Sequence, residues 1–455
     1  MSWSKLALGR VVLFSLLALD ALMQLRHAPR YGAGGFNVGQ LPLLDSLGPS
    51  RVAYTIAELV NAYLFATIAC GVASRFALPL AAAIYSWLYF GSQLDSYQHH
   101  YLVALVLWLA CFVPWQRPEG ATAATPVRAW ALRLILFQLA IMYLWAAISK
   151  MTPAWWDGST LARQVTGPLR SVIDSTVGIR TASRLVIPTE LALACTVWLR
   201  PAWRFAAPLG IAFHLGIVAT GLEIGLFAWL MIGVYVFVVP DAIWIAIGRV
   251  VESLQLGAAV RAVFARPGWV VFAIAVALSI ACAAACRFPY ALALALVLAV
   301  ALAVRAVLAI RRGTPAIATL AAAHLVALAA WLAVDRASTL AGDYYRFWGA
   351  SERRFGDADA ALTAYSHLVA ITPDDPGAHY QLGRLLLAHD RGDEGLAELA
   401  ASEQLDPAHA RAFVAEATWL ADHGRRDDAL AKARVAARVE PGDAEARALV
   451  EALRK

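Results

Sequence analysis

Charge is scarce in this sequence. Of 455 residues, 15% are Asp, Glu, Lys or Arg and 60% are hydrophobic. Soluble globular chains carry about 25% charged residues, so one large aqueous core is excluded as the main architecture. The net charge of +6 comes largely from arginines that flank apolar segments, so nucleic acid is not expected as a partner. Cysteine is scarce too. Cys70, Cys111, Cys195, Cys282 and Cys286 all lie in apolar runs, which reads as small buried hydrophobes and argues against a disulfide framework. Cys282 and Cys286 stand four apart with no His or carboxylate beside them, so no metal is expected. The first apolar run lacks a small-residue cleavage site and contains Asp20, which argues against a removable signal peptide. Duplicated halves with matched Gly/Pro-broken spans, a common mark of transporters, are missing as well.

What the sequence does have is apolar runs of about 20 residues, the length that crosses a bilayer. Candidate spans cover 6–25, 52–73, 76–94, 98–115, 128–149, 185–200, 204–220, 224–247, 268–286, 288–310 and 315–334, about eleven in all. The basic residues Lys5, Arg75, Arg117, Arg200 and Arg311 recur in alternate loops. That bias places the N-terminus in the cytoplasm and the loops 26–51 and 150–184 outside. An odd count then puts the C-terminal tail outside. The segment 248–267 carries Arg249, Glu252 and Arg261 among Val and Leu, as an interfacial amphipathic helix does.

The tail from residue 341 is different in composition. It is dense in charge, and Pro373, Pro407 and Pro441 recur every 34 residues. That is the tetratricopeptide period. Small residues such as Gly349, Ala361 and Gly383 stand where two helices of a hairpin must approach closely. Three repeats are predicted over 342–375, 376–409 and 410–443, with a capping helix to 454. Such stacks present a concave face, so the expected partner is a peptide or protein, with a module for self-association as the plainer reading.

Ionisable groups at membrane depth are costly and mark functional sites by default. Asp20, Glu58 and Glu190 fit ordinary pairing between helices, and His324 stands alone in an Ala/Leu run. Two clusters say more. One is Tyr97-Gln98-His99-His100-Tyr101; the other runs from Ser149-Lys150 to Trp155-Trp156-Asp157-Gly158. With His214, they fall toward the outer end of the predicted spans. One aqueous-facing pocket is therefore expected to collect His99, His100, Lys150 and His214, walled by Tyr101, Trp155 and Trp156. An amine at the edge of an apolar pocket is favoured in its neutral form and can serve as a base. The plainer reading is a snorkelling lysine beside an interfacial tryptophan belt.

These same residues carry a resemblance. Tyr97-Gln98-His99-His100-Tyr101-Leu102, Ile148-Ser149-Lys150-Met151, Trp155-Trp156-Asp157-Gly158, Phe213-His214-Leu215 and Ile224-Gly225-Leu226-Phe227 occur in the order of the horizontally transferred transmembrane (HTTM) domain, whose relatives include vitamin K-dependent gamma-carboxylase. The chain resembles that family over roughly 5–240. The resemblance implies that Lys150 is the base toward a reduced, vitamin K-like quinone and that His99 belongs to the active site. It implies a bacterial inner membrane as the location. Ser149 replaces the first lysine of the family's pair, and the sequence after 240 departs from the family.

The expected architecture is thus all-α: a polytopic membrane protein with a C-terminal tetratricopeptide solenoid. The expected units are 1–247, 248–335 with three further spans, and 341–455. Two functions compete. One is a quinol-dependent, carboxylase- or epoxidase-like enzyme; the other is a non-catalytic scaffold that recruits a partner through the repeats.

Overall fold

The computed structural model describes residues 1–32, 38–71, 73–94, 96–165, 168–220, 224–253, 268–289, 331–336 and 339–454. Every regular element among these is a helix. The first part comprises α1 (Trp3–Gln24), α2 (Arg51–Ala69), α3 (Ala77–Phe90), α4 (Gln98–Ala110), α5 (Trp130–Ser149), the short α6 (Pro153–Trp156), α7 (Ser159–Gln164) and α8 (Pro168–Thr176), then α9 (Ile179–Thr196), α10 (Trp203–Ala219), α11 (Phe227–Val234), α12 (Asp241–Ser253) and α13 (Gly268–Ala285). Serines start the first two. The Ser2 and Ser50 hydroxyls accept from the Lys5 and Ala53 N–H groups, satisfying donors that a helix start leaves open. Phe14, Phe65, Leu107, Leu132, Tyr143 and Phe237 fill the core between the helices.

One end of the bundle is closed by the N-terminus. The Asp241 carboxylate accepts from the Ser2 N–H and hydroxyl, both at 2.8 Å. Lys5 is buried there. Its ammonium donates to the Phe237 carbonyl at 3.2 Å and lies 3.6 Å from Asp241. The sequence reads Lys5 as a loop charge; instead it is an internal tie that a buried cation requires.

The eleven-span count is not obtained. Among the described residues, Trp3–Arg30, Arg51–Ala69, Trp130–Ser149 and Arg200–Ala219 are long and apolar enough to cross a membrane, a fifth arising only if one bent pair counts as a span. The shortfall has physical causes. At about 1.5 Å per residue, α3 with 14 residues and α4 with 13 reach only some 20 Å, against a hydrocarbon core of about 30 Å. The expected span 224–247 is broken at Pro240, and its halves meet at 95°. Most of the candidates 288–310 and 315–334, and most of 248–267, lies outside the described residues. The cysteines are corrected as well: Cys70 and Cys195 are exposed, Cys111 and Cys286 half-buried. In a bilayer an apolar run packs against lipid as readily as against protein, so it does not imply burial.

The tail forms helical hairpins. These are α14 (Leu340–Phe355) with α15 (Ala358–Ile371), α16 (Pro376–Ala388) with α17 (Gly392–Leu405), and α18 (Ala410–Asp422) with α19 (Arg426–Val439), closed by α20 (Ala444–Arg454). Ala361, Leu399 and Ala433 are fully buried at the close contacts. The first and third hairpins turn on left-handed glycines, Gly356 at φ 92° and Gly424 at φ 74°. The second turns on Asp390 at φ 58°, and not on Gly392, which instead opens α17. A side chain in that conformation costs about 1 kcal/mol relative to glycine. Asp390→Gly should therefore raise the stability of the 341–455 segment by about 0.5–1 kcal/mol in denaturant melts.

The tail docks on the end of the bundle away from the N-terminus. Leu340, Tyr344 and Tyr345 bury against Leu25, Tyr31 and Tyr54 in one continuous apolar cluster. Arg51 reaches Glu352 at 3.1 Å and lies over the Trp348 ring. The Asp335 carboxylate accepts from the N–H groups of Arg287 and Phe288, pinning the two ends of the intervening segment together.

A half-buried charge cluster sits deeper in the tail. Lys432 lies 2.5 Å from Glu403 and 2.7 Å from Glu416. Burial, with the neighbouring Glu416 carboxyl, pushes Glu403 up to about 7. The folded tail thus holds this proton more tightly than the unfolded chain, whose glutamates titrate near 4.3. The stabilisation is complete below that value and is lost as pH rises through 7. Between pH 5 and 8 the 341–455 segment should lose about 1–3 kcal/mol. Glu403→Gln should flatten that slope, because Lys432 keeps Glu416.

Candidate functional site

The residues singled out by the sequence gather at the end of the bundle where the tail docks, in two groups. The first forms around the start of α4. The His99 and His100 rings lie 4.3 Å apart, and Tyr97 stacks on His99 at 5.5 Å. His100 Nδ1 is 2.7 Å from the Tyr85 hydroxyl. Both histidines line a cavity of about 1150 Å³ between the bundle and α14. Tyr101 is exposed and packs on Tyr89 and Phe90 instead.

The second group forms where α5 ends. Lys150 is the C-cap of α5, its N–H donating to the Ala147 carbonyl. Its side chain folds back into the bundle. The ammonium donates to Glu190 Oε1 at 2.9 Å and to the Ala146 carbonyl at 3.3 Å, with the Trp155 ring centroid 5.4 Å away. The lysine and glutamate side chains are only 19% and 6% exposed. Trp155 thus covers Lys150, whereas Trp156 is exposed and carries the Arg184 guanidinium at 4.7 Å from its ring centroid. The local sequence explains the placement. Thr152-Pro153 starts a new turn, and Asp157 accepts from the Ser159 N–H, which holds its carboxyl below the usual range. Gly158 closes the loop at φ 85°, with an added Cβ 2.9 Å from Arg180 Cα.

His214 belongs with this second group. Tyr143 lies seven residues before Lys150, two turns along one face of α5. Its hydroxyl is 2.6 Å from His214 Nε2 and 3.0 Å from the Tyr235 hydroxyl, and it stands within electrostatic reach of Glu190. All three rings are buried. Tyr235 reaches this position only because residue 210 is glycine: a Cβ there would fall 1.9 Å from its ring.

The expected single pocket is therefore divided. His99 and His100 line the open cavity, and Lys150 and His214 are organised by Glu190 and Tyr143 inside the bundle. Glu190, Tyr143 and Tyr235 were not among the sequence candidates. For Glu190 the signal was present, as a carboxylate at membrane depth; for the tyrosines only the seven-residue spacing from Lys150 could have pointed to one of them. Two buried atoms of this group have no hydrogen-bond partner: Glu190 Oε2 and His214 Nδ1. Buried polar atoms are nearly always satisfied, so these two suit a ligand with polar groups of its own. Among the described residues, no three His, Cys, Asp or Glu side chains converge as metal ligands.

No curated protein matches this chain. Among solved structures, the tail is similar to the TPR domain of Arabidopsis OM64, at 16% identity over 25% of this chain and 94% of that one, with a TM-score of 0.24. It is also similar to the second TPR domain of human RPAP3 in complex with an HSP70 peptide, at 17% identity over 24% and 92%, TM-score 0.23. The TPR2B domain of yeast Sti1, in complex with pHsp70, aligns at 21% over 25% and 95%, TM-score 0.24. The repeat assignment rests on the hairpins themselves. For the membrane part, the HTTM domain family matches residues 2–244, more than half of the chain, so this protein belongs to the HTTM domain family.

Proposed function

We propose that the protein is a membrane enzyme in which Lys150 acts as a base on a lipid-soluble reduced quinone. The observation that carries this reading is the Lys150–Glu190 pair, held at 2.9 Å inside the bundle, with Glu190 Oε2 left unpartnered. A reduced quinone would supply an ionisable hydroxyl and two electrons for oxygen. The chain's residues do the rest. Once its proton has passed to Glu190, the Lys150 nitrogen takes the proton of a hydroxyl set against it. Trp155 keeps water from that nitrogen, and His214, fixed by Tyr143, offers Nδ1 as a second polar contact. His99 acts from the neighbouring cavity. The HTTM membership supports the reading, with the N-terminus in the cytoplasm and the tail, docked at the opposite end, outside a bacterial inner membrane. The test is oxygen-dependent consumption of a reduced naphthoquinone by the purified full chain. Consumption no faster than a protein-free micelle blank overturns the proposal.

A second reading is a scaffold that recruits a peptide. It is favoured by a groove of about 720 Å³ on the tail, lined by Tyr380, Arg384, Arg411, Trp419 and Asp422. Under that reading, substitution of Lys150 leaves partner binding and every measurable activity unchanged.

A further inference from the structure

The cavity between bundle and tail has a chemistry that the histidines do not explain. Five arginines line it, against the two carboxylates Asp20 and Asp343. Arg26 and Arg30 come from the turn that ends the first span; Arg346, Arg353 and Arg354 come from α14. Asp343 is already engaged, by Arg346 at 2.7 Å, by the Thr339 hydroxyl at 2.6 Å and by Arg26 at 3.5 Å. The wall is therefore left with an excess of positive charge, on the side chain best shaped to grip phosphate through two parallel N–H bonds.

The floor is different. Val103, Phe227 and Leu230 line the cavity and also line an apolar recess that continues inward between α4, α5 and α11, past Leu107, Leu132 and Ile135. An arginine-rich cavity at the helix ends thus adjoins an apolar recess across the shared side chains of Val103, Phe227 and Leu230. Helix ends stand at head-group depth in a membrane.

We propose that this cavity, with the recess beside it, binds a lipid whose phosphate head group carries net negative charge, the phosphate on the arginines and a hydrocarbon chain reaching into the recess. A free phosphate has no use for the apolar floor. The lipid would also join the tail to the bundle, since its head would be gripped from both. The proposal is independent of the role of Lys150.

The test uses the full chain in a neutral detergent, with bound lipid counted by native mass spectrometry. The probes are dioctanoyl phosphatidic acid, dioctanoyl phosphatidylcholine, inorganic phosphate and a hexaglutamate peptide. Phosphatidic acid should bind, and should bind about tenfold more weakly to the Arg353→Gln/Arg354→Gln double variant and to Arg30→Gln. These variants touch the wall at two separate elements, and circular dichroism reads their folding. Equal binding of phosphatidylcholine, or unchanged affinity in both folded variants, overturns the proposal. Inorganic phosphate displacing the lipid mole for mole would make this an anion site without a chain pocket. Binding of hexaglutamate in place of phosphatidic acid would make it a peptide site. Either result overturns the lipid assignment.

Discussion

Lys150→Arg should consume reduced quinone no faster than Lys150→Ala, at least a hundredfold below the unsubstituted protein, while melting at the same temperature. The comparison isolates chemistry from structure because of what surrounds the residue. Glu190 is buried and needs a cation; an arginine at 150 supplies one, with a fork that suits a carboxylate at least as well. Trp155 accepts a guanidinium over its face as it accepts the ammonium. The pair, the ring and the helix end are all kept. What is lost is the ability to give up a proton, which arginine does not do in proteins. A snorkelling lysine predicts the opposite, since arginine snorkels equally well. Lys150→Ala is the harsher control, because it leaves Glu190 uncompensated and should lower the melting temperature too. Activity retained in Lys150→Arg would end the base assignment.

The fold was legible where a pattern is repeated and illegible where length and partners decide. The prolines at 373, 407 and 441 each follow the second helix of a hairpin, so one period placed six helices. The turn of the second hairpin was not legible, because no composition rule announces the left-handed backbone of Asp390. Among the described residues of the membrane part, hydropathy located helices yet counted as spans some that are too short to cross. Hydropathy responds to apolar content, and α3 and α4 are apolar without being long. The site was half visible. Lys150, His99 and His214 stand out as costly residues at depth. Their grouping does not, because it depends on which face of α5 meets α9, and α9 carries a partner, Glu190, that reads in isolation like any interhelical carboxylate. Tyr143 and Tyr235 look like ordinary core aromatics until their hydroxyls are seen to meet.

Gly210→Ala tests whether that meeting is built in or incidental. The new methyl would lie 1.9 Å from the Tyr235 ring carbon and 2.0 Å from its hydroxyl oxygen, well inside contact distance. Tyr235 is buried at 2% exposure, so the ring has no free space to turn into. It must leave the 3.0 Å contact with Tyr143, or α10 must shift away and draw His214, four residues on, off the same hydroxyl. Overpacking costs about 1–3 kcal/mol, and a buried hydroxyl stripped of its partner costs about 1–3 more. The full chain in mixed micelles should lose about 2–6 kcal/mol in denaturant unfolding. Combining Gly210→Ala with Tyr235→Ala separates the clash from any effect on helix propensity. With the ring gone, the methyl has room, and the double variant should be no less stable than Tyr235→Ala alone. Additive losses would mean that the glycine serves the helix and not the tyrosine, and the three-ring group would then owe nothing to residue 210.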